Sequence, residues 1–231
     1  MKRSDILTFV GVIVFLSPFF IFDSVYEFYN DWNRSNPMSM AFLKFAILAT
    51  FGEVLGLRIK TGKYSAPGFG LFPRAVIWGF LGMWIAAAMG VFRSGVPAFM
   101  DKFTVFNGML VAMSGDFTAM KLLGAFFISV MMNTSFAPVF MTLHKITDTH
   151  ITNNGGKIGC LLKPIPIRKT IISLNWDVQW NFVFKKTIPF FWIPAHTLTF
   201  ILPTHMQVLF AALLGVALGV ILSIAALKSK A

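Results

Sequence analysis

Long apolar runs separated by short basic, polar or Gly/Pro-rich stretches set the pattern of this chain. A helix needs about 20 mostly apolar residues to cross a hydrocarbon core of ~30 Å at ~1.5 Å per residue. The clearest such run is 206–227, which follows Pro203 and is closed by Lys228 and Lys230. Within it Ala211, Gly215, Gly219 and Ser223 fall four apart. That spacing makes a face of small side chains, which lets two helix backbones approach closely in lipid. The preceding run, 187–202, is broken by Pro189 and Pro194, and a turn at Leu202-Pro203-Thr204 would join the two as a hairpin.

Taken in order, the run 6–22 follows Met1-Lys2-Arg3 and ends in the bulky Phe19-Phe20-Ile21-Phe22. With no small-residue cleavage site after it, it reads as an uncleaved transmembrane helix, bent or thinned near Pro18. The segment 23–37 reads as a loop whose Tyr26, Tyr29 and Trp32 suit the headgroup level. A second helix over 38–57 is followed by a basic stretch, Arg58 to Lys63, and by a Gly/Pro-rich connection. The third, 75–92, carries Gly79, Gly82, Ala86 and Gly90 on one side. The apolar segment 103–114 is too short to span and reads as interfacial or re-entrant. A fourth helix is expected over 122–143, with Asn133, Ser135 and Pro138 inside it. Then comes a long cytoplasmic loop, 144–186, with a turn at Asn153-Asn154-Gly155-Gly156. Trp176, Trp180 and Phe182 near its end suit a membrane surface. The expected fold is an all-α polytopic membrane helix bundle of about six transmembrane helices in a single membrane domain, 1–231. No internal repeat of the inverted-transporter kind is evident.

Composition strengthens the membrane reading. Hydrophobic residues make up 56% of the chain and charged residues 13%, against about 25% charged in an ordinary soluble domain. The net charge of +11 would raise nucleic acid as a partner, but the basic residues flank apolar runs, as membrane topology requires. Lys2, Arg3, Arg58, Lys60, Lys63, Arg74, Lys145, Lys157, Lys163, Arg168, Lys169, Lys185, Lys186, Lys228 and Lys230 fall on one side. Only Arg34, Arg93, Lys102 and Lys121 fall on the other. This places both termini in the cytoplasm if six helices cross, and makes the lipid bilayer, not nucleic acid, the expected partner. The basic loops could also hold anionic lipid. A bacterial cytoplasmic (inner) membrane is preferred, with an organellar membrane the alternative. The single cysteine, Cys160, rules out an intrachain disulfide.

Ionisable and polar groups inside apolar runs are the candidates for function, since they are costly there unless paired or wetted. Glu53 and Lys44 share one helix but sit nine residues, roughly 13 Å, apart, so each needs another partner or water. Either could line a pore; Lys44 could instead reach the membrane surface along its aliphatic stem. Asn133 suits an interhelical hydrogen bond or a polar point on a path. His196 and His205 bracket the final turn, with Gln207 just beyond, as an interfacial polar cluster or a proton-handling pair. His144, Asp148 and His150 lack a further acidic or cysteine ligand, and no metal or other cofactor is expected. Gly155-Gly156-Lys157 does not complete a phosphate-binding loop, and no hydrolase or zinc-protease motif occurs, so no enzyme is expected.

The C-terminal segment resembles the Mpv-seventeen/PMP-twenty-two family of small membrane proteins. The likeness rests on Trp192-Ile193-Pro194-Ala195, Thr199-Phe200, Pro203 and Leu222-Ser223, with an upstream echo in Ala137-Pro138 and Asp148. Gln207 stands where that family carries Arg, and Leu218-Gly219 where it carries Trp-Asn. The resemblance implies a small polytopic protein with pore or channel activity for ions or small metabolites. Three readings stay open at this point: a small channel, which could be a homo-oligomer joined through its small-residue faces; a structural or scaffolding membrane protein; and a membrane-embedded enzyme.

Overall fold

The computed structural model describes residues 2–228, without the side chains of 222 and 225–228. Met1 of the basic N-terminal start and Lys230 of the closing basic pair lie outside that range. Among the described residues there are helices and no strands. The chain divides into two compact units, 1–40 and 41–231.

The first unit holds α1 (Arg3–Leu16), α2 (Pro18–Ile21), α3 (Asp23–Ser35) and the first turn of α4 (Pro37–Thr61). Pro18 separates α1 from α2, but together they form one stretch of 19 residues long and apolar enough to cross a membrane. No residue of α1 is buried, as expected of a helix whose whole circumference is apolar. The expected loop at 23–37 is instead the amphipathic helix α3. Its polar residues imitate a loop, but Phe28 and Trp32 recur one turn apart with their rings tilted at 6.1 Å, and Tyr29 meets Phe19 of α2 edge-on at 5.6 Å.

In the second unit α4 continues and is followed by α5 (Leu71–Met100), the single turn α6 (Met109–Ala112), α7 (Ala119–Ser135) and α8 (Ala137–Asn153). Next come α9 (Ile167–Ser173), the turn α10 (Trp176–Val178), a π-helix (Gln179–Trp192), α11 (Ile193–Ile201) and α12 (Thr204–Lys228). Four stretches are long and apolar enough to span: 3–21, α4, α5 and 204–221. The pair α7 and α8 makes a fifth if its bend of 47° is counted within one span. The bend has a local cause. Pro138 has no N–H for Thr134, and its ring crowds that carbonyl; the Thr134 and Ser135 hydroxyls donate back to Val130 and Met131. The remaining segment expected to cross, 187–202, is helical, first as π-helix and then as α11.

Two boundaries differ usefully from expectation. Helix α5 runs 30 residues, well past 75–92 at both ends, and α8 extends nearly three turns into the stretch expected as loop from 144. The segment 103–114 folds as short turns, with Met109 fully buried and set against Gly124 of α7.

The small-residue face of α12 packs against α4 at Gly219 and Ser223. A Cβ at Gly52 would lie 2.9 Å from the Val216 Cα, one at Gly219 3.2 Å from the Gly52 carbonyl, and one at Gly56 2.9 Å from Ser223 Oγ. Gly52 and Gly56 are four apart and form the complementary groove. Gly79 and Gly82 of α5 receive the rings of Phe42 and Phe45. The core gathers Phe45, Ala49, Ile85, Met89, Ile128, Met132, Phe200 and Ala212, and α7 packs extensively on α11. In lipid such close packing, through dispersion and not through loss of water, holds helices together.

Candidate intramembrane binding site

The antiparallel turn from α4 to α5 brings two distant charges level. Glu53 sits eight residues before the end of α4, and Arg74 three after the start of α5. Gly62, Gly68 and Gly70, with φ of 73°, 80° and 68°, reverse the chain between them in a conformation that L side chains rarely adopt. Arg74 Nη1 then lies 2.5 Å from Glu53 Oε2 and beside Asp148 Oδ1 of α8. Its Nε donates to the Phe69 carbonyl at 2.5 Å, and its guanidinium lies 4.7 Å from the centre of the Phe69 ring. The other Glu53 oxygen accepts from Trp78 Nε1 at 2.9 Å and lies 3.1 Å from His144 Nε2. Lys145 reaches Asp148 at 3.3 Å. Two carboxylates therefore face Arg74 and Lys145, and these four charges balance; His144 adds a basic group that is charged only when protonated.

Beside this cluster the helices leave a cavity of about 310 Å³. Phe45 and Ala49 of α4, Ile85 of α5, Met132 and Phe136 before the bend, Phe140 after it and Leu218 of α12 give it apolar walls. Glu53, His144 and Lys145 stand at one part of the lining, and Asn133 and His196 at another. The π-helix contributes Gln179, Val183, Thr187 and Trp192. These fall four or five apart, as suits a helix bonded i→i+5, and one α-helical face would not carry all of them. From Phe45 to Glu53 the lining follows eight residues of α4, about 12 Å, so the cavity is elongated along the bundle. The Lys145 side chain is 53% exposed, which marks this end as the mouth.

Asn133 and His196 are both buried and pair across α7 and α11. Asn133 Nδ2 also donates to the Ser129 carbonyl at 2.8 Å, and Ser129 Oγ donates to the Ile193 carbonyl at 2.7 Å. The Trp192 ring lies 5.0 Å from that of His196, with its indole N–H buried and without a hydrogen-bond partner.

The structure thus brings Glu53, Asn133 and His196 to one cavity. Lys44, His205 and Gln207 are not part of its lining. Lys44 is buried on α4, and His205 is exposed at the start of α12. Gln207 Nε2 donates to the Leu202 carbonyl at 2.9 Å, closing the end of α11. Gly215 and Gly219 belong both to the cavity wall and to the α4–α12 contact; Ser223 donates to the Gly219 carbonyl at 2.7 Å. His150, considered with His144 and Asp148, turns away and donates to the Cys160 carbonyl at 3.0 Å. Cys160 is itself buried, and burial pushes its thiol up.

Arg74, Trp78 and Gln179 were not singled out from the sequence. Arg74 read as a topology-setting flank, although an arginine opening the helix after one that carries a buried glutamate is itself a pairing signal. Gln179 had no such signal, because the π-helix that turns it inward has no distinct pattern of its own. No family model, curated protein or solved structure matches the chain.

Proposed function

We propose that the protein binds a small, uncharged and mostly apolar solute inside its helix bundle and passes it through the membrane. The observation that carries this reading is the elongated apolar cavity whose charged end is balanced. An ion would leave water for apolar walls with no net charge to receive it, and that desolvation is prohibitive. A neutral solute meets the usual features of a binding cavity, apolar walls with a few fixed polar groups between helices of a bundle. The resemblance of the C-terminal segment to small pore-forming membrane proteins points the same way, and a bacterial cytoplasmic membrane is the proposed setting. The complete pairing of Glu53 favours a second reading, a scaffold in which the intramembrane charges only pin helices together.

Flux through proteoliposomes separates the two. Uncharged solutes of rising apolar content, from butanediol to hexanediol, with potassium beside them, are compared for wild type and Ala49→Trp, which fills the cavity. Solute flux without potassium flux, lost in Ala49→Trp, is the expected result. Potassium flux, or solute flux indifferent to the substitution, overturns the solute path. No flux from folded, inserted protein brings the scaffold forward.

A further inference from the structure

The hydrogen-bond bookkeeping around Asn133 fixes what the inner part of the cavity offers to a ligand. Asn133 is 0% exposed, so each of its polar atoms must find a partner within the protein. The Ser129 carbonyl can only accept, so the amide nitrogen must be the atom facing it at 2.8 Å. The second amide proton has Ser129 Oγ at 3.2 Å, whose own proton is committed to the Ile193 carbonyl. Asn133 Oδ1 then needs a donor, and His196 Nδ1, at 3.2 Å, supplies it. The alternative, in which Asn133 Nδ2 donates to Nδ1 at 3.0 Å, leaves that fully buried oxygen unsatisfied. A proton on Nδ1 leaves Nε2 of the neutral ring as a bare acceptor. His196 is 7% exposed and lines the cavity, and among the described residues its only hydrogen-bonding neighbour is Asn133.

We infer that the cavity selects a neutral apolar molecule bearing a hydrogen-bond donor, a hydroxyl in the simplest case, which donates to His196 Nε2 while its apolar body lies among Phe45, Ile85, Phe136 and Phe140. This rests on the reading of the cavity as a solute site and names the chemistry that site prefers. A hydroxyl can donate to Nε2 and also accept from the unpartnered Trp192 indole N–H in the same lining, whereas a carbonyl or ether oxygen can only accept and makes no bond to the Nε2 lone pair. Ser129, at the base of the chain, orients the amide that orients the imidazole.

The test compares octanol with an ether of the same size, heptyl methyl ether, by titrating the tryptophan fluorescence of detergent-solubilised protein. Trp192 and Trp78 both line the cavity and report its occupation. Wild type should bind the alcohol about five- to tenfold more tightly than the ether, the size of one net hydrogen bond. In His196→Phe, which keeps an aromatic ring, the ratio should fall to about one while the ether binds as before. Equal binding of the two by wild type overturns the inference and leaves the apolar cavity standing. Binding of neither overturns the solute reading as well. A persistent preference in His196→Phe assigns the contact elsewhere and overturns the role of His196. The wild-type comparison decides even if the variant fails to fold.

Discussion

Glu53 Oε2 and Arg74 Nη1, on antiparallel helices α4 and α5, meet at 2.5 Å with side chains 20% and 10% exposed. The pair links the glycine-rich α4–α5 connection to the cavity, because the other Glu53 oxygen holds Trp78 and His144, which both line it. Asp148 of α8 completes the arrangement from a third helix.

Removing one partner of this cluster should therefore cost far more than removing both. Arg74→Leu removes the guanidinium that Glu53 and Asp148 share, leaving Glu53 with Trp78 and His144 and Asp148 with Lys145, and breaking a buried pair in this way costs about 3–5 kcal/mol. The double variant Glu53→Leu/Arg74→Leu should be less destabilised than the sum of the single ones. Thermal unfolding of the four proteins in detergent measures the difference; simple additivity would show that the ion pair does not couple α4 to α5.

The α4–α12 contact predicts opposite outcomes at two helical glycines. At Gly52 a methyl group would lie 2.9 Å from backbone, the Val216 Cα, so Gly52→Ala should push the helices apart and cost about 1–3 kcal/mol. At Gly90 there is nothing within 4 Å, and Gly90→Ala should be neutral or stabilising by up to about 1 kcal/mol through helix propensity. Melting temperatures of the two variants should move in opposite directions.

Gly156 has φ 68°, and a Cβ there would lie 2.6 Å from the Gly70 amide nitrogen. The turn after α8 thus seats directly on the loop that positions Arg74. Gly156→Ala should destabilise the protein by about 1–3 kcal/mol and weaken Arg74 packing. Limited proteolysis of the 62–70 connection, faster in the variant than in wild type, is the expected sign.

Cys160 is 2% exposed, and its thiol is held above its ordinary range by burial. At neutral pH the reactive thiolate is therefore scarcer than in a free cysteine, and access is blocked as well. Maleimide should label the native protein slowly at pH 7 and the denatured protein rapidly. Rapid labelling in the native state would show that the 158–162 turn does not bury the thiol.

The membrane helices were legible because an apolar run of sufficient length has few other stable uses, and the runs around α4, α5 and α12 carried that signal plainly. The polar helix α3 was not legible, since Asp23, Asn30 and Asn33 imitate a loop and only the one-turn spacing of Phe28 and Trp32 marks a face. The cavity shows the same division at the level of side chains. That Glu53, Asn133 and His196 are exceptional follows from their type and setting, because an ionisable or amide group in an apolar run must be compensated.

Which partner supplies that compensation follows only from the fold. Arg74 reaches Glu53 because the glycine-rich turn sets α5 antiparallel to α4, and Asn133 meets His196 because α11 packs on α7. The small-residue face of α12 likewise announced a close helix contact but not its partner, which Gly52 and Gly56 supply. The sequence by itself determined the class of the protein and the positions that need partners, since transfer of each residue into lipid is a local cost. The pairing of those positions, the orientation of the His196 ring and the cavity beside it were decided by tertiary structure, because they depend on distances between helices that no local pattern encodes.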